Sequence, residues 1–559
     1  MNTIDAAILS KMFLAGAKAL EADKEHINEL NVFPVPDGDT GTNMSMTVLS
    51  AAKEVLAIDH LEMRTLCKAI SSGSLRGARG NSGVILSQLL RGFTKVIKTE
   101  ETLSVDILCE AAQRAVETAY KAVMQPKEGT ILTVARAGAD KAIELADETE
   151  DIEVYLKGVL EACEEALAQT PELLPVLKEA GVVDSGGQGL CRILSGAYAF
   201  LSGEDTGLLS DASFGEKKEE APSSRFTYRM EFSMRPAPYN SHEERKKLRE
   251  FMKSMGDGAY LEKDGAFYTG RLVTDDPGRI ITSVLRNGSI ETIEIVNTRR
   301  KESDAEPEKP QQKESDGEAG QSKASQTEAP APAEPKATPP KEIGIVAVSI
   351  GEGINQIFRD LGVDALIEGG QTMNPSTEDI MKAIASVNAK TVFVLPNNKN
   401  IVLSVEQAAG LVSDKGVIVV PTKTISQGVS ALISFVPGDS PEENLEHMKE
   451  ELALVKSGEI TYAVRDTTID GRSIAAGDYM GITDVGIVSV EKQIDATLLS
   501  MLSAMLDEDS ALITLYYGQD VKEEEAQKLF ETVQQTYPDL EVELQEGGQP
   551  VYYYIVSVE

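Results

Sequence analysis

Residues 31–47 read N-V-F-P-V-P-D-G-D-T-G-T-N-M-S-M-T. Pro34 and Pro36 hold φ near −65° and bias their neighbours away from helix, so the approach is extended and stiff. Gly38 and Gly41 allow a tight turn behind it. The turn carries Asp37 and Asp39, two carboxylates that repel each other unless a cation sits between them. Hard divalent ions such as Mg²⁺ take carboxylate oxygens and leave their other positions to water and phosphate. A plain Asp-Gly turn is the competing reading.

Two further stretches tilt the balance toward a ligand site. One is 77–83, G-A-R-G-N-S-G, and the other is 184–189, D-S-G-G-Q-G; 126–130 is a milder case. Apolar residues recur every three to four positions over 4–24, 44–56, 63–72, 84–98, 105–123, 131–147, 152–168 and 190–201, which predicts helices and an all-α first domain over 1–203. Asn81, Ser82 and Gly83 then sit where a helix begins, and Asp39, Thr40 and Asn43 sit at the start of another. Asp184, Gly186 and Gly187 precede a third. Helix N-termini offer unpaired N–H groups and partial positive charge, which suits phosphate. Each loop alone is equally explained as a helix cap; three beside a carboxylate pair point to a nucleotide.

The remaining chain has a different character. Small and charged residues at 204–224 mark a linker, and 225–300 reads as a small α/β domain. Residues 301–342 are rich in Glu, Lys, Pro, Ser and Ala with no large apolar side chain, which predicts a disordered tether. From 343 to 559, apolar runs at 345–350, 391–395 and 416–420 alternate with helical segments, the pattern of a parallel-stranded α/β domain. The 349–353 stretch, S-I-G-E-G, lacks the third glycine of a dinucleotide fingerprint and reads as a tight strand-to-helix turn.

Composition limits the chemistry. The 559 residues carry 54 basic and 90 acidic side chains, a formal net charge of −36. Such a chain repels nucleic acid and anionic membrane surfaces, so a phosphate ligand is expected to be held by metal ions and backbone N–H groups rather than by a basic field. Cys67, Cys109, Cys163 and Cys191 lack metal-ligand spacing and fit reduced, buried thiols in a cytoplasmic protein. No run approaches the length of a membrane span. There is no G-x-x-x-x-G-K-[ST] loop and no protein-kinase signature. His26, His60, His242 and His447 form neither a zinc set nor a triad; His26 reads as a partly exposed helix residue.

The motifs at 31–44, 79–83 and 182–189 together resemble the DhaL-type ATP-binding domain of the dihydroxyacetone kinase superfamily. The multidomain chain resembles the ATP-binding subunits of bacterial fatty acid kinases. The stretches G-Q-T-M-N-P-S-T (370–377), L-P-N-N-K-N (395–400) and Pro421-Thr422 look like that family's C-terminal, DegV-like domain. The resemblance implies an all-helical barrel binding ATP and Mg²⁺, with Asp37 and Asp39 on the metal. It places Asn31 where sugar-kinase relatives carry a third carboxylate, matches Thr40, Asn43, Ser82 and Gly83 to phosphate contacts, and puts Asp184 with its glycines beside the nucleotide. Relatives pair Y-C-x-E-F with H-x-H in the middle domain as a zinc set. Here Arg229, Arg271 and Val273 stand at those places, so no zinc site is expected.

The implied activity is phosphoryl transfer to a fatty acid carboxylate. The fatty acid would be presented by a separate DegV-like acyl-binding subunit (FakB), docked on the middle and C-terminal domains; a homodimer is a further expectation. A carboxylate is already ionised near neutrality, so attack needs no general base, which suits a site of carboxylates, hydroxyls and glycines. A dihydroxyacetone or small-polyol kinase would want a base or a histidine anchor that this chain does not offer. A nucleotide-binding scaffold without activity is the third reading.

Overall fold

A computed structural model describes residues 1–32, 38–123, 125–203, 228–236, 242–264, 267–297, 340–370, 374–463, 466–469 and 472–559. Asp37, the linker at 204–224 and the tether as far as residue 339 lie outside the described residues. The chain divides into two compact units, residues 1–215 with 336–559 and residues 216–335.

In the first unit, the N-terminal part is built from helices α1 (Ala6–Glu29), α2 (Thr40–Leu56), α3 (Met63–Gly77), α4 (Gly80–Ile97), α5 (Val105–Ala122), α6 (Ile131–Glu148), α7 (Ile152–Leu173), the short α8 (Pro175–Ala180) and α9 (Ser185–Leu201). A two-residue strand pair, β1 (Ile4–Asp5) with β2 (Thr102–Leu103), ties the N-terminus across. Neighbours run α1 to α7 in order, then α7 to α9 and α9 back to α1, which closes a ring. Leu20, Ile27, Met44, Leu66, Leu86, Ile97 and Leu132 point into it and are fully buried. Apolar faces turned to a common centre are what hold such a barrel together. Cys67, Cys109, Cys163 and Cys191 are all free and buried.

The glycine-rich stretches expected as loops are helical. α4 starts at Gly80 rather than at 84, and α9 at Ser185 rather than at 190. Their glycines serve close packing: a Cβ on Gly83 would strike Thr47 Oγ1 of α2, and one on Gly187 would sit 2.8 Å from Val134 Cγ2 of α6. Glycine lowers helix propensity, but the neighbouring helix leaves no room for anything larger.

The C-terminal part of this unit holds two sheets. Strands β7 (Lys341–Ser349), β8 (Ala365–Glu368), β9 (Ala389–Leu395) and β10 (Gly416–Val419) form a parallel sheet in the order β10-β9-β7-β8. Helices α12 (Glu352–Asp360), α13 (Thr377–Ser386), α14 (Val402–Ala409), α15 (Ile425–Ile433) and α16 (Pro441–Leu452) connect or follow them. Gly351, at φ +93°, makes the sharp turn from β7 into α12.

The second sheet combines β11 (Lys456–Tyr462), β14 (Tyr479–Thr483), β15 (Gly486–Glu491), β16 (Leu512–Tyr517), β17 (Glu541–Glu546) and β18 (Tyr554–Val558). It is antiparallel except for β16 with β17. A hairpin of β12 (Thr467–Ile469) with β13 (Arg472–Ile474) and helices α17 (Ile494–Met505) and α18 (Glu523–Thr536) complete it. The runs at 345–350, 391–395 and 416–420 are the parallel strands β7, β9 and β10, and the antiparallel direction of the second sheet is not visible in the sequence. Its cause is local, because the connection between β14 and β15, Asp484 and Val485, is too short for a parallel crossover.

The second unit is one antiparallel sheet, ordered β4-β5-β3-β6, from β3 (Tyr228–Pro236), β4 (Gly256–Asp264), β5 (Phe267–Thr274) and β6 (Gly288–Asn297). Helices α10 (His242–Met255) and α11 (Pro277–Asn287) pack on it around Met230, Phe232, Leu248, Met252, Leu272 and Ile280.

Gly92 sets the α4–α5 spacing, since a Cβ there would lie 2.7 Å from both Ala115 Cα and Thr118 Oγ1. Gly92→Ala is expected to destabilise the helical domain by about 1–3 kcal/mol, net of the roughly 1 kcal/mol alanine gains in helix propensity. A denaturation midpoint that stays put or rises would contradict the packing described here.

Candidate functional site

The N-termini of α2, α4, α6 and α9 lie at one end of the barrel, turned toward the loops at the carboxyl ends of β8, β9 and β10. Asp39 stands at the N-cap of α2, yet its side chain makes no cap bond to the helix. Its carboxylate instead accepts a 2.6 Å hydrogen bond from Asn374 Nδ2, from the loop between β8 and α13. The same amide donates to Asn43 Oδ1 at 3.5 Å. Asn374 is 2% exposed, and its Oδ1 has no hydrogen-bond partner among the described residues.

Arg79, the N-cap of α4, reaches across to the same loop. Its Nη1 donates to the Asn374 carbonyl at 2.6 Å, and its Nη2 lies 3.6 Å from Asp379 Oδ2. Further links are Thr377 N–H to the Ala78 carbonyl at 3.1 Å and Gln407 to both Leu75 O and Gln88. Gly80 follows Arg79 at φ +56°, where a Cβ would meet Asn43 Nδ2 at 2.6 Å. Both the backbone angle and the crowding demand glycine.

The expected site residues fall as follows. Thr40 and Asn43 are buried in the first turn of α2, and Asn31 is buried just beyond α1. Asn81, Ser82 and Gly83 form the first turn of α4, with Gly83 N–H already bonded to the Arg79 carbonyl. Asn81 Nδ2 approaches Asn400 Oδ1 at 3.5 Å. Asp184 caps α9, accepting from Gly187 N–H at 2.7 Å, and Gly186 lies in the same turn. Asn81, Ser82, Asp184 and Gly186 line one cavity of about 390 Å³ together with Thr130 and Ile131. Asp39 and Asn43 adjoin it through Asn374 and Gly80.

The cavity also contains residues that sequence reasoning misses, Lys399 and Lys423, along with Lys127 and Glu406. Their signal is visible as polar runs at strand ends, 395–400 and 421–423, but nothing in the sequence says that these loops face residue 81. Three lysines line this cavity in a chain whose net charge led to an expectation of no basic field there. His26 is exposed on α1, 3.8 Å from Glu29. In the second unit, strand register sets position 229 opposite 273 and 231 opposite 271, so the places where zinc ligands would stand are paired neighbours.

Comparison with known proteins agrees with this architecture. A DAK2 domain model matches residues 34–199, and a model of the C-terminal region of FakA-like fatty acid kinase chains matches 344–559. The protein YloV of Bacillus subtilis is 42% identical over 574 residues, covering all of both chains. The chain belongs to the FakA-like fatty acid kinase family. An uncharacterized protein of Staphylococcus saprophyticus is 39% identical, again over the full length of both. Among solved structures, a DegV family protein of Corynebacterium glutamicum aligns with 39% of this chain and 97% of its own, at 13% identity and a TM-score of 0.30. The DAK2 domain of this FakA-like chain is the closed helical ring. No helix among the described residues is long and apolar enough to cross a membrane.

Burial pushes the Asp184 carboxyl up to about 6, partly offset by the N–H groups of Gly187 and Ile131 that favour its ionised form. A folded-state pKa above the unfolded value of 3.8 means that the native state holds the proton more tightly. Stability is therefore highest below the unfolded value and falls as pH rises toward 6, by on the order of 2–3 kcal/mol. Asp184→Asn keeps an oxygen for the Gly187 N–H and removes the ionisation. Thermal unfolding from about pH 4 to 7.5 should give a flatter profile for Asp184→Asn and a higher midpoint at the upper end. An unchanged slope would contradict the burial of that carboxyl.

Proposed function

We propose that the chain transfers the γ-phosphoryl group of ATP, with Mg²⁺, to the carboxylate of a fatty acid presented by a separate acyl-binding protein of the FakB type. The product is an acyl phosphate available for phospholipid synthesis. The observation that carries this reading is the convergence of the Asp39 carboxylate with the first turns of α2 and α4 beside a cavity of nucleotide size, in a chain of this kinase family.

The donor set suits a hard cation. Asp39 offers carboxylate oxygens, and the buried Asn374 Oδ1 adds an amide oxygen free of hydrogen bonds among the described residues. Asp37, outside the described residues, is proposed to share the ion with Asp39. A bound Mg²⁺ would neutralise charge on the phosphates and on the group in transfer. The protein's own part is positioning. The first-turn N–H groups of Gly80, Asn81 and Ser82 have no acceptors within α4, so they are available to phosphate oxygens. Thr40 and Asn43 present polar groups beside them. Asp184, Gly186 and Gly187 shape the side of the cavity where the nucleoside is proposed to lie.

The substrate side needs no base. A fatty acid carboxylate ionises well below neutral pH, so the nucleophile arrives without a proton to remove. That fits a cavity lined by no histidine among the described residues. An acyl phosphate is a reactive anhydride, and a site between two packed domains keeps water from it.

The decisive assay follows ADP release from ATP and Mg²⁺ in the presence of an acyl-loaded partner or of dihydroxyacetone. ADP is expected only with the acyl-loaded partner, and Asp39→Asn should lower turnover by at least about a hundredfold while leaving helix content unchanged. Release with dihydroxyacetone alone, or full activity in Asp39→Asn, would overturn the reading.

A further inference from the structure

Open parallel sheets bind ligands at the carboxyl ends of their strands. In this chain that end of the β7–β10 sheet is turned onto the helical domain rather than left as a separate crevice. The loop after β9 carries Asn397, Asn398, Lys399 and Asn400, and the loop after β10 carries Pro421, Thr422 and Lys423. The asparagines are buried and fix the loop: Asn397 N–H donates to Thr422 Oγ1 at 3.0 Å, its Nδ2 donates to the Val348 carbonyl at 2.8 Å, and Asn398 Oδ1 accepts from Asn400 N–H at 2.8 Å. Asn397 adopts φ +54°, a left-handed angle that costs energy for a residue with a side chain. Only Lys399 in this run is exposed, and it projects into the same cavity as Asn81, Ser82 and Asp184.

Lys423 reaches that cavity from the neighbouring strand end. Neither lysine makes a close ion pair with a carboxylate among the described residues. The nearest acidic influences are Asp484 and Glu459 of the same domain: both lysines favour ionisation of Asp484, and Lys399 favours that of Glu459. Burial pushes the Glu459 carboxyl up to about 7 and raises that of Asp484 as well. Glu406, which also lines the cavity, is likewise pushed up by burial. In a chain of net charge −36, two ammonium groups line the same cavity as the first turn of α4.

We infer that Lys399 and Lys423 are binding residues for the polyphosphate of the nucleotide, so that the C-terminal domain supplies the cationic half of a site whose other half is the helical domain's N–H groups. The inference rests on the nucleotide reading above and extends it to residues of a second domain. Ammonium groups act on phosphate as point charges and contribute most where the negative charge is greatest. Asn374 and Arg79 tie the C-terminal domain to Asp39 and to the start of α4, which keeps the lysine-bearing loops against the same cavity.

Isothermal titration of the full chain with Mg²⁺ and a non-hydrolysable ATP analogue, ADP or adenosine tests this. Lys399→Ala and Lys423→Ala should each weaken the ATP analogue by roughly tenfold or more, ADP less, and adenosine not at all. Lys423→Arg should restore most of the affinity that Lys423→Ala loses. Alanine variants that bind all three ligands like the parent chain would overturn the lysine assignment alone. A uniform loss that includes adenosine would also overturn it, by making the effect structural. If the parent chain binds no nucleotide with Mg²⁺, the functional reading fails and this inference fails with it.

Discussion

The hydrogen bond from Asn374 to Asp39 joins the two halves of this molecule at the point where the chemistry is proposed to happen. It takes the carboxylate away from the usual role of an N-cap and turns it toward the neighbouring domain. Because Asn374 is buried, losing that contact would cost on the order of 1–3 kcal/mol. Arg79 strengthens the same junction with a charged donor to the Asn374 backbone. The glycine at position 80 is a consequence: the two amides occupy the space a side chain would need. Together with the bonds made by Arg79, Thr377 and Gln407, this contact ties the loop before α13 to the starts of α2 and α4.

This junction suits the proposed binding of an anionic ligand by an acidic protein. Backbone N–H groups at helix starts do not change net charge, so they coexist with a surplus of carboxylates. Lysines confined to two short loops add positive charge only where it is used. The proposed carboxylate substrate fits this arrangement, since its reaction would call for charge neutralisation and placement rather than proton removal.

Much of this is legible in the sequence, and the limits of legibility have physical causes. The long helices from α1 to α9 follow from apolar periodicity, which records the single buried face of each one. Asp39, Asn43, Asn81, Ser82 and Asp184 can be singled out because three glycine-rich helix starts occur beside an acidic pair, although each alone would read as a cap. Their glycines read as loop because propensity speaks against glycine in a helix, while the close approach of Thr47 and Val134 speaks for it, and that approach is tertiary information. The antiparallel sheet around β11 and β14 escapes because strand direction is set by connection length rather than by the pattern inside a strand.

Asn374, Lys399 and Lys423 are hidden for a different reason. They lie some three hundred residues from the helices they serve, as the Asn374–Asp39 separation of 335 positions shows, and no local pattern records which way the end of a sheet faces. Fold alone would not assign them a role; the proposed one rests on the geometry of the site. The most direct measurement is a crystal structure of the full chain with Mg²⁺ and a non-hydrolysable ATP analogue. The account predicts phosphates against the first turn of α4, the metal on Asp39, and Lys399 and Lys423 within reach of phosphate oxygens, with Asn374 still at the junction. Nucleotide bound away from that turn, or with both lysines facing solvent far from the phosphates, would contradict it.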